Sequence, residues 1–424
     1  MSNATGPEGK PDPLAAKESP ADDKYALLRN RDFVLFVVGR FISSFGQQML
    51  VMAVGLEIWD RTHVKLNLGY VGLSQVLPMY LLTLPAGHVA DNYNRKKIIA
   101  WMQGGIAVAS AALALVSHYQ VEILWTYVCL FVLGIGRTFL WSASASFMPQ
   151  LVSRKEFAQA VNWNTGSFQI SAVVGPVAGA ALYAWTLSAQ WVYALNVVSA
   201  VIYLVCIALV RTHHKVAARE PMSLKSLAMG LKFVYKTKII LGTITLDLFA
   251  VLLGGATALL PVYADEILHV GKSGVGWLRA ALPMGSLLMS IILVHRPPLQ
   301  KAGHTLLWAV IGFGLATIGF GLSRVFWLSF VFLFLCGVTD YISVVVRQTL
   351  VQLLTPDEMR GRVSAINSLF IVTSNEMGDF ESGVVAQYTS SVFAVVSGGV
   401  GTILVVIAVA LIWPQIRKYG RLDA

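Results

Sequence analysis

Stretches of about twenty mainly apolar residues, the length a helix needs to cross the hydrocarbon of a bilayer, recur along the whole chain. They fall near residues 33–57, 68–89, 98–117, 123–147, 160–183, 191–210, 239–263, 275–294, 305–322, 326–347, 364–386 and 392–413. In lipid a spanning segment must satisfy its own backbone, so segments of this length are helices and the chain is an all-α membrane protein of about twelve spans. Composition agrees. Only 13% of the 424 residues are charged and 56% are hydrophobic, against about 25% charged in a soluble domain. Cys129, Cys206 and Cys336 sit in apolar runs, where packing is the ordinary role of a thiol and no redox or metal chemistry follows. Residues 1–24 carry no apolar stretch of the kind that drives secretion and read as a disordered cytoplasmic tail.

The basic residues orient the spans. Of the 32 lysines and arginines, four lie in one set of loops (Arg61, Lys65, Lys272, Arg324) and four within or at the ends of spans (Arg40, Arg137, Arg279, Arg347). The other 24 lie on the side that holds both termini. That side is therefore expected to be cytoplasmic, and the net charge of +10 is a topology signal that needs no nucleic acid partner. The expected organisation is a six-helix bundle over 25–210, a cytoplasmic linker over 211–238, a second six-helix bundle over 239–413 and a tail over 414–424. In the linker, Leu224, Leu227, Leu231 and Val234 recur at helical spacing with Lys225 and Lys232 offset. This fits an amphipathic helix on the inner leaflet. A plain basic linker fits as well.

Two loops repeat at an offset of 202 residues: PQLVSRKEFAQAVN (149–162) aligns with VQLLTPDEMRGRVS (351–364), pairing Gln150 with Gln352, Leu151 with Leu353 and Glu156 with Glu358. An even number of spans separates the copies. The halves then share one orientation and are related by an axis along the membrane normal, with a site between them.

Between the second and third spans stands GHVADNYNRKK (87–97). Gly87 permits close helix contact, Asp91 accepts hydrogen bonds or sits at a helix start, Asn94 tolerates a left-handed turn, and Arg95, Lys96 and Lys97 hold the loop at the anionic surface. The pattern G-x-x-x-D-x-x-x-R-K-K resembles the signature of the major facilitator superfamily, with Asn94 where Gly is usual. In the fifth span SAVVGPVAGA (171–180) is similar to the motif of that superfamily's antiporters, through Gly175, Pro176 and Gly179, with Ser171 and Ala180 replacing outer glycines. Small residues around a proline also occur for helix packing alone. The opening YALLRNRDFVLFVVGRFISSFGQQM and PDEMRGRVSAINSLF resemble the efflux branch of enterobactin-exporter-like carriers. The resemblance implies the superfamily's fold of two six-helix bundles, and export of a siderophore or amphipathic compound driven by protons.

Charges inside the spans are the functional candidates. At about 1.5 Å per residue, Arg40 lies about 10 Å from the cytoplasmic end, and Arg137, Asp247 and Asp340 fall at a similar level. Each costs at least about 2.5–3.5 kcal/mol at mid-membrane, so each faces a cavity or a partner. Arg40 or Arg137 is expected to pair with Asp247 or Asp340 when the cytoplasmic side closes, with protonation of the aspartate loosening that closure. In the contrasting case each charge is satisfied within its own half and only holds structure. In the eleventh span, TSNEMGDFESG (373–383) carries three acids. Glu376 and Asp379 lie about 18 and 23 Å deep on one helical face, whereas Glu381 points elsewhere near the outer interface. The first two are the candidates for proton binding. Arg279 lies at a depth to pair with Asp379 or Glu381. Tyr80, Trp141, Trp163 and Phe168 are candidates to line a cavity for an organic compound, though aromatic residues in spans mostly pack.

No metal-ligating cluster, no nucleophile with its base and no phosphate-binding glycine loop is legible, so neither an enzyme nor a cofactor is expected. The expectation is a multi-pass monomer of the inner membrane, exporting a small organic compound (siderophore or drug-like) by proton antiport with alternating access. A uniporter or lipid flippase, in which the acids bind substrate, and a non-transporting sensor or scaffold are the alternatives.

Overall fold

The computed structural model describes residues 26–153, 156–211, 224–255, 257–295 and 301–420, and all regular structure among them is helical. The 1–24 tail lies outside them. The helices are α1 (Arg31–Thr62), α2 (Lys65–Asn92), α3 (Arg95–His118), α4 (Ile123–Phe147), α5 (Phe157–Thr186), α6 (Gln190–Leu209), α7 (Leu224–Lys236), α8 (Lys238–Gly254), α9 (Leu260–Val262), α10 (Gly271–Val294), α11 (Ala302–Leu322), α12 (Phe326–Leu354), α13 (Asp357–Tyr388), α14 (Ser391–Ile412) and α15 (Pro414–Lys418). Ten of the spans among the described residues are long and apolar enough to cross a membrane by length and composition. Two further helices, α2 and α13, are 28 and 32 residues long and fall outside that set of ten. They pack against each other, where neither needs to be apolar all round.

Packing repeats from one half to the other. In the first half α1 packs on α5 and α6, α2 on α4, and α3 on α4 and α6. In the second, α8 packs on α13 and α14, α10 on α12, and α11 on α12 and α14. The second helix of each half crosses to the fifth of the other, giving α2 on α13 and α5 on α10. This is the exchange that a two-fold axis requires.

The repeated loops are helix starts. Ser153 donates its N–H and hydroxyl to the Glu156 carboxylate at 3.1 and 2.6 Å in the turn just before α5. These bonds favour the ionised carboxylate and hold Glu156 below the usual carboxylate range. The linker region contains a helix: α7 buries Val234 with Ile240, Val363 and Ile366 under the start of α13. Burying such a side chain contributes about 1.5–3 kcal/mol, which fixes α7 to the second half.

We call the end with the α2–α3 loop the basic end and the other the far end. Contacts joining the halves gather toward the far end. Gly383 of α13 comes so close to Gly69 of α2 that a Cβ on Gly383 would stand 3.0 Å from the Gly69 Cα. Polar groups ring this contact: Lys272 pairs with Asp60, which also accepts from the Tyr183 hydroxyl at 2.7 Å, Lys65 pairs with Glu266 at 3.0 Å, and the Trp59 ring N–H donates to Asp265 at 2.9 Å. The far end is closed.

Candidate functional site: a charged cavity between the halves

The seventh span, expected as one helix, is broken. Helix α8 stops at Gly254, a 3-10 turn spans Thr257–Leu259, and a π-helical turn over Tyr263–Ile267 carries the chain to the far end. The break lies where α8 meets α13 backbone to backbone: a Cβ on Gly378 would stand 2.9 Å from the carbonyl oxygens of Val251 and Leu252. A broken helix exposes backbone donors that lipid cannot satisfy. Asp379 meets one of them, accepting at Oδ1 from the Ala258 N–H at 3.1 Å, and also accepts from the Thr257 hydroxyl at 2.8 Å. Ser382 donates its hydroxyl to the Gly255 carbonyl. Asp379 therefore has a structural duty that span-by-span reading missed.

Around this break the halves enclose a cavity of about 140 Å³. Gln48, Gln75 and Arg137 line it from the first half, Arg279, Glu376 and Asp379 from the second. Arg137 donates from Nη1 to the Gln75 amide oxygen at 2.5 Å. Glu376 lies in the field of Arg137 and Arg279, yet among the described residues its carboxylate has no hydrogen bond or ion pair within bonding distance. Arg279 thus shares the cavity of Glu376 and Asp379, while Glu381 is half-buried and lines no part of it.

A second cavity of about 150 Å³ lies nearer the basic end on the first half's wall. Arg40, Arg137, Gln47 and Gln48 line it with Trp141 and Phe168, and Gln48 and Arg137 are common to both cavities. Trp141 and Phe168 are 63% and 46% exposed. Tyr80 and Trp163 are also exposed, but line neither cavity.

Asp247 does not meet either arginine of the first half. It forms an ion pair with Arg347 of its own half, and both side chains are buried. For this aspartate the structure shows the intra-half arrangement, because Arg347, one hundred residues on, comes alongside α8 when α12 packs. Asp340 has no ion pair among the described residues. It joins two small cavities inside the second bundle, one of about 90 Å³ shared with Asp379 and one of about 10 Å³ shared with Asp247. The pairing expected between halves belongs to a closed basic end, and here the halves meet at the far end.

The family model for the Major Facilitator Superfamily matches residues 36–374. The chain belongs to that superfamily. It is 25% identical over 389 residues to "Enterobactin exporter EntS" of Escherichia coli O1:K1 / APEC, covering 90% of this chain and 92% of the relative, and equally similar to the exporter of the same name from Shigella boydii serotype 18. Among solved structures it resembles the POT family transporter PepTSo (TM-score 0.73, 12% identity, covering 92% of this chain and 99% of that one) and the nucleoside transporter NupG (0.72, 11%, covering 90% and 100%). A bacterial homologue of the lysosomal transporter Spinster, solved in an inward-facing unoccupied conformation, matches at a TM-score of 0.67 and 14% identity, covering 92% and 96%. The protein is a multi-pass transporter of the inner membrane, not an enzyme.

The superfamily signature can now be read on the fold. Arg95 is buried and donates from Nε to the Ala90 carbonyl at 3.0 Å, and Lys96 donates to the carbonyls of Ala208 and Val210 at 2.9 and 2.7 Å, closing the end of α6. Asn94 does not adopt the left-handed conformation expected of it. It is extended and caps α3, accepting from the Lys97 N–H at 3.3 Å. Gly87 lies within α2, and the Asp91 side chain lies outside the described residues. In the antiporter-like motif, Gly175 and Gly179 let α5 lie on α1, where added Cβ atoms would meet Gln48 at 2.5 Å and Met49 at 2.8 Å. Beside them the carbonyl of Pro176 and the Cβ of Ala180 face Gly276 of α10. The motif thus sits where one half bears on the other.

Proposed function

We propose that this transporter exports a small organic or amphipathic compound, siderophore-like or drug-like, in exchange for protons. The bias of basic residues makes the basic end, with both termini, cytoplasmic. The arrangement is then an inward-facing state. The observation that carries the reading is Glu376: an intramembrane carboxylate without a bonded partner among the described residues, on a cavity walled by both halves. Such a group is costly unless it is functional. Proton binding at Glu376 alters the charge on a surface that both halves touch, and so couples the proton to their rearrangement. Asp379, committed to the break in the seventh span, holds Glu376's surroundings in place, and Asp340 connects the site to the interior of the second bundle. The similarity to enterobactin exporters supports export as the direction. The monomer, with lipid around it, is the working unit.

The test is the purified protein in liposomes with an imposed pH gradient and an internal pH dye, to which catecholate siderophores and lipophilic cations are added in turn. Substrate-dependent proton movement that disappears in Glu376→Gln, with substrate binding retained, is expected. Substrate flux with no proton movement overturns the antiport reading in favour of a uniporter or flippase.

A further inference from the structure

Four arginines lie within the spans, and they are served unequally. Arg347 has Asp247, and Arg279 and Arg137 line the cavity between the halves together with Glu376 and Asp379. Arg40 and Arg137 have no ion pair among the described residues. Arg40 lies over the Phe36 ring at 5.9 Å and Arg137 holds a neutral amide oxygen. Yet both line one cavity, so two like charges share one space. Neither can be neutralised by losing its proton, because a guanidinium stays charged. A cation in such a place calls for an anion, and among the described residues the protein puts no carboxylate on that wall. Glu376, the carboxylate within the field of Arg137, lines the other cavity with it from the opposite half, and among the described residues no ion pair joins the two.

The rest of that wall is aromatic. Trp141 and Phe168 present much of their surface to the same cavity. Flat apolar faces beside a pair of planar guanidinium groups fit a ligand with two ends, an aromatic body and an acidic group. The guanidinium fork matches a carboxylate or similar oxyanion in two parallel hydrogen bonds.

We infer that Arg40 and Arg137 form the anion subsite of the substrate cavity, and that the transported compound is an organic anion whose aromatic part lies against Trp141 and Phe168. This rests on the transport reading above and gives the two arginines a ligand-binding role in the state open at the basic end. Gln47 and Gln48 add neutral polar groups beside them that suit further oxygen atoms of the ligand.

The test uses three probes with one ring system and different charge: 1-naphthoate, 1-naphthalenemethanol and 1-naphthylmethylammonium. Their binding to the full-length protein in detergent is measured by calorimetry. Naphthoate is expected to bind at least about tenfold tighter than the alcohol, the scale of one hydrogen bond to a charged group, and the ammonium compound weakest. Arg40→Gln and Arg137→Gln should each remove most of the preference for naphthoate over the alcohol. Trp141→Ala should weaken naphthoate and the alcohol alike. Equal or tighter binding of the alcohol or the ammonium compound to the unaltered protein overturns the proposal without recourse to any variant, as does an absence of naphthoate binding. Unchanged naphthoate affinity in both arginine variants overturns it too. Naphthoate counterflow in vesicles separates the two readings: arginine-dependent binding with no flux defeats transport and leaves the anion site standing, whereas flux with no charge preference defeats the anion site alone.

Discussion

Arg40 and Arg137 face the central cavity from the first half with an aromatic ring and an amide oxygen for neighbours, whereas in the second half Asp247 is paired with Arg347 and Asp379 is bonded to Thr257 and Ala258. One wall carries cations held by little; the other carries acids largely bound up in holding the bundle together. Charged groups within the spans thus differ in role. What separates them is whether the fold supplies a counter-charge. A group that the fold has already satisfied contributes structure, and one left without a partner is open to a ligand or a proton. Glu376 and Asp340, without an ion pair among the described residues, are the acids that resemble the arginine wall in this respect.

The strongest way to break this comparison is Asp247→Ala. If the pair with Arg347 is structural, removing the acid leaves a buried guanidinium uncompensated and costs about 3–5 kcal/mol, seen as a large fall in the thermal unfolding temperature in detergent. Adding Arg347→Met should recover most of it. A single variant that unfolds like the unaltered protein would return Asp247 to the gating role expected from sequence. Gly383→Val tests the far-end closure. Overpacking against Gly69 costs about 1–3 kcal/mol in this state alone, so spin labels across the far end should report a population shifted toward longer distances. Asp340→Asn should change the unfolding free energy by less than about 0.5 kcal/mol, since no ion pair is lost, and should reduce proton-coupled flux. Equal destabilisation by Asp340→Asn and Asp247→Ala would erase the distinction between bound and available acids. Lys272→Ala removes a partly exposed pair and should cost about 0–1 kcal/mol, read from the same unfolding curves.

The smallest effect lies outside the membrane. Because the Ser153 bonds lower the Glu156 titration, their contribution is present above the usual carboxylate range and is lost as pH falls through the lowered value. Ser153→Ala should return that titration upward, as followed by carboxyl NMR.

The spans, the repeat and the loop signature were legible because each is written locally, in the length of an apolar run or the spacing of a few residues. Span seven is legible near 239–263, but its break is not, because the acid that caps the break arrives from α13, over a hundred residues away. Arg347, near the end of its span, was read as one of the charges at span ends, and only the packing of α12 beside α8 reveals it as Asp247's partner. Trp141 and Phe168 were two of four aromatic candidates for the cavity. Composition could not choose among them, since which face of α4 or α5 looks inward is decided by the contacts with α1 and α2. Asn94 was rightly placed in a loop, but its side chain serves as a helix cap rather than easing a left-handed turn.

The Asp247–Arg347 pair also bears on how the protein is made. With one hundred residues between its members, synthesis at about 5–20 residues per second separates their emergence from the ribosome by roughly 5–20 s. Throughout that interval α8 carries an aspartate that the bilayer opposes by about 2.5–3.5 kcal/mol. The neutralising charge for α8 thus becomes available only when α12 is made, so the final depth of α8 depends on a helix synthesised well after it.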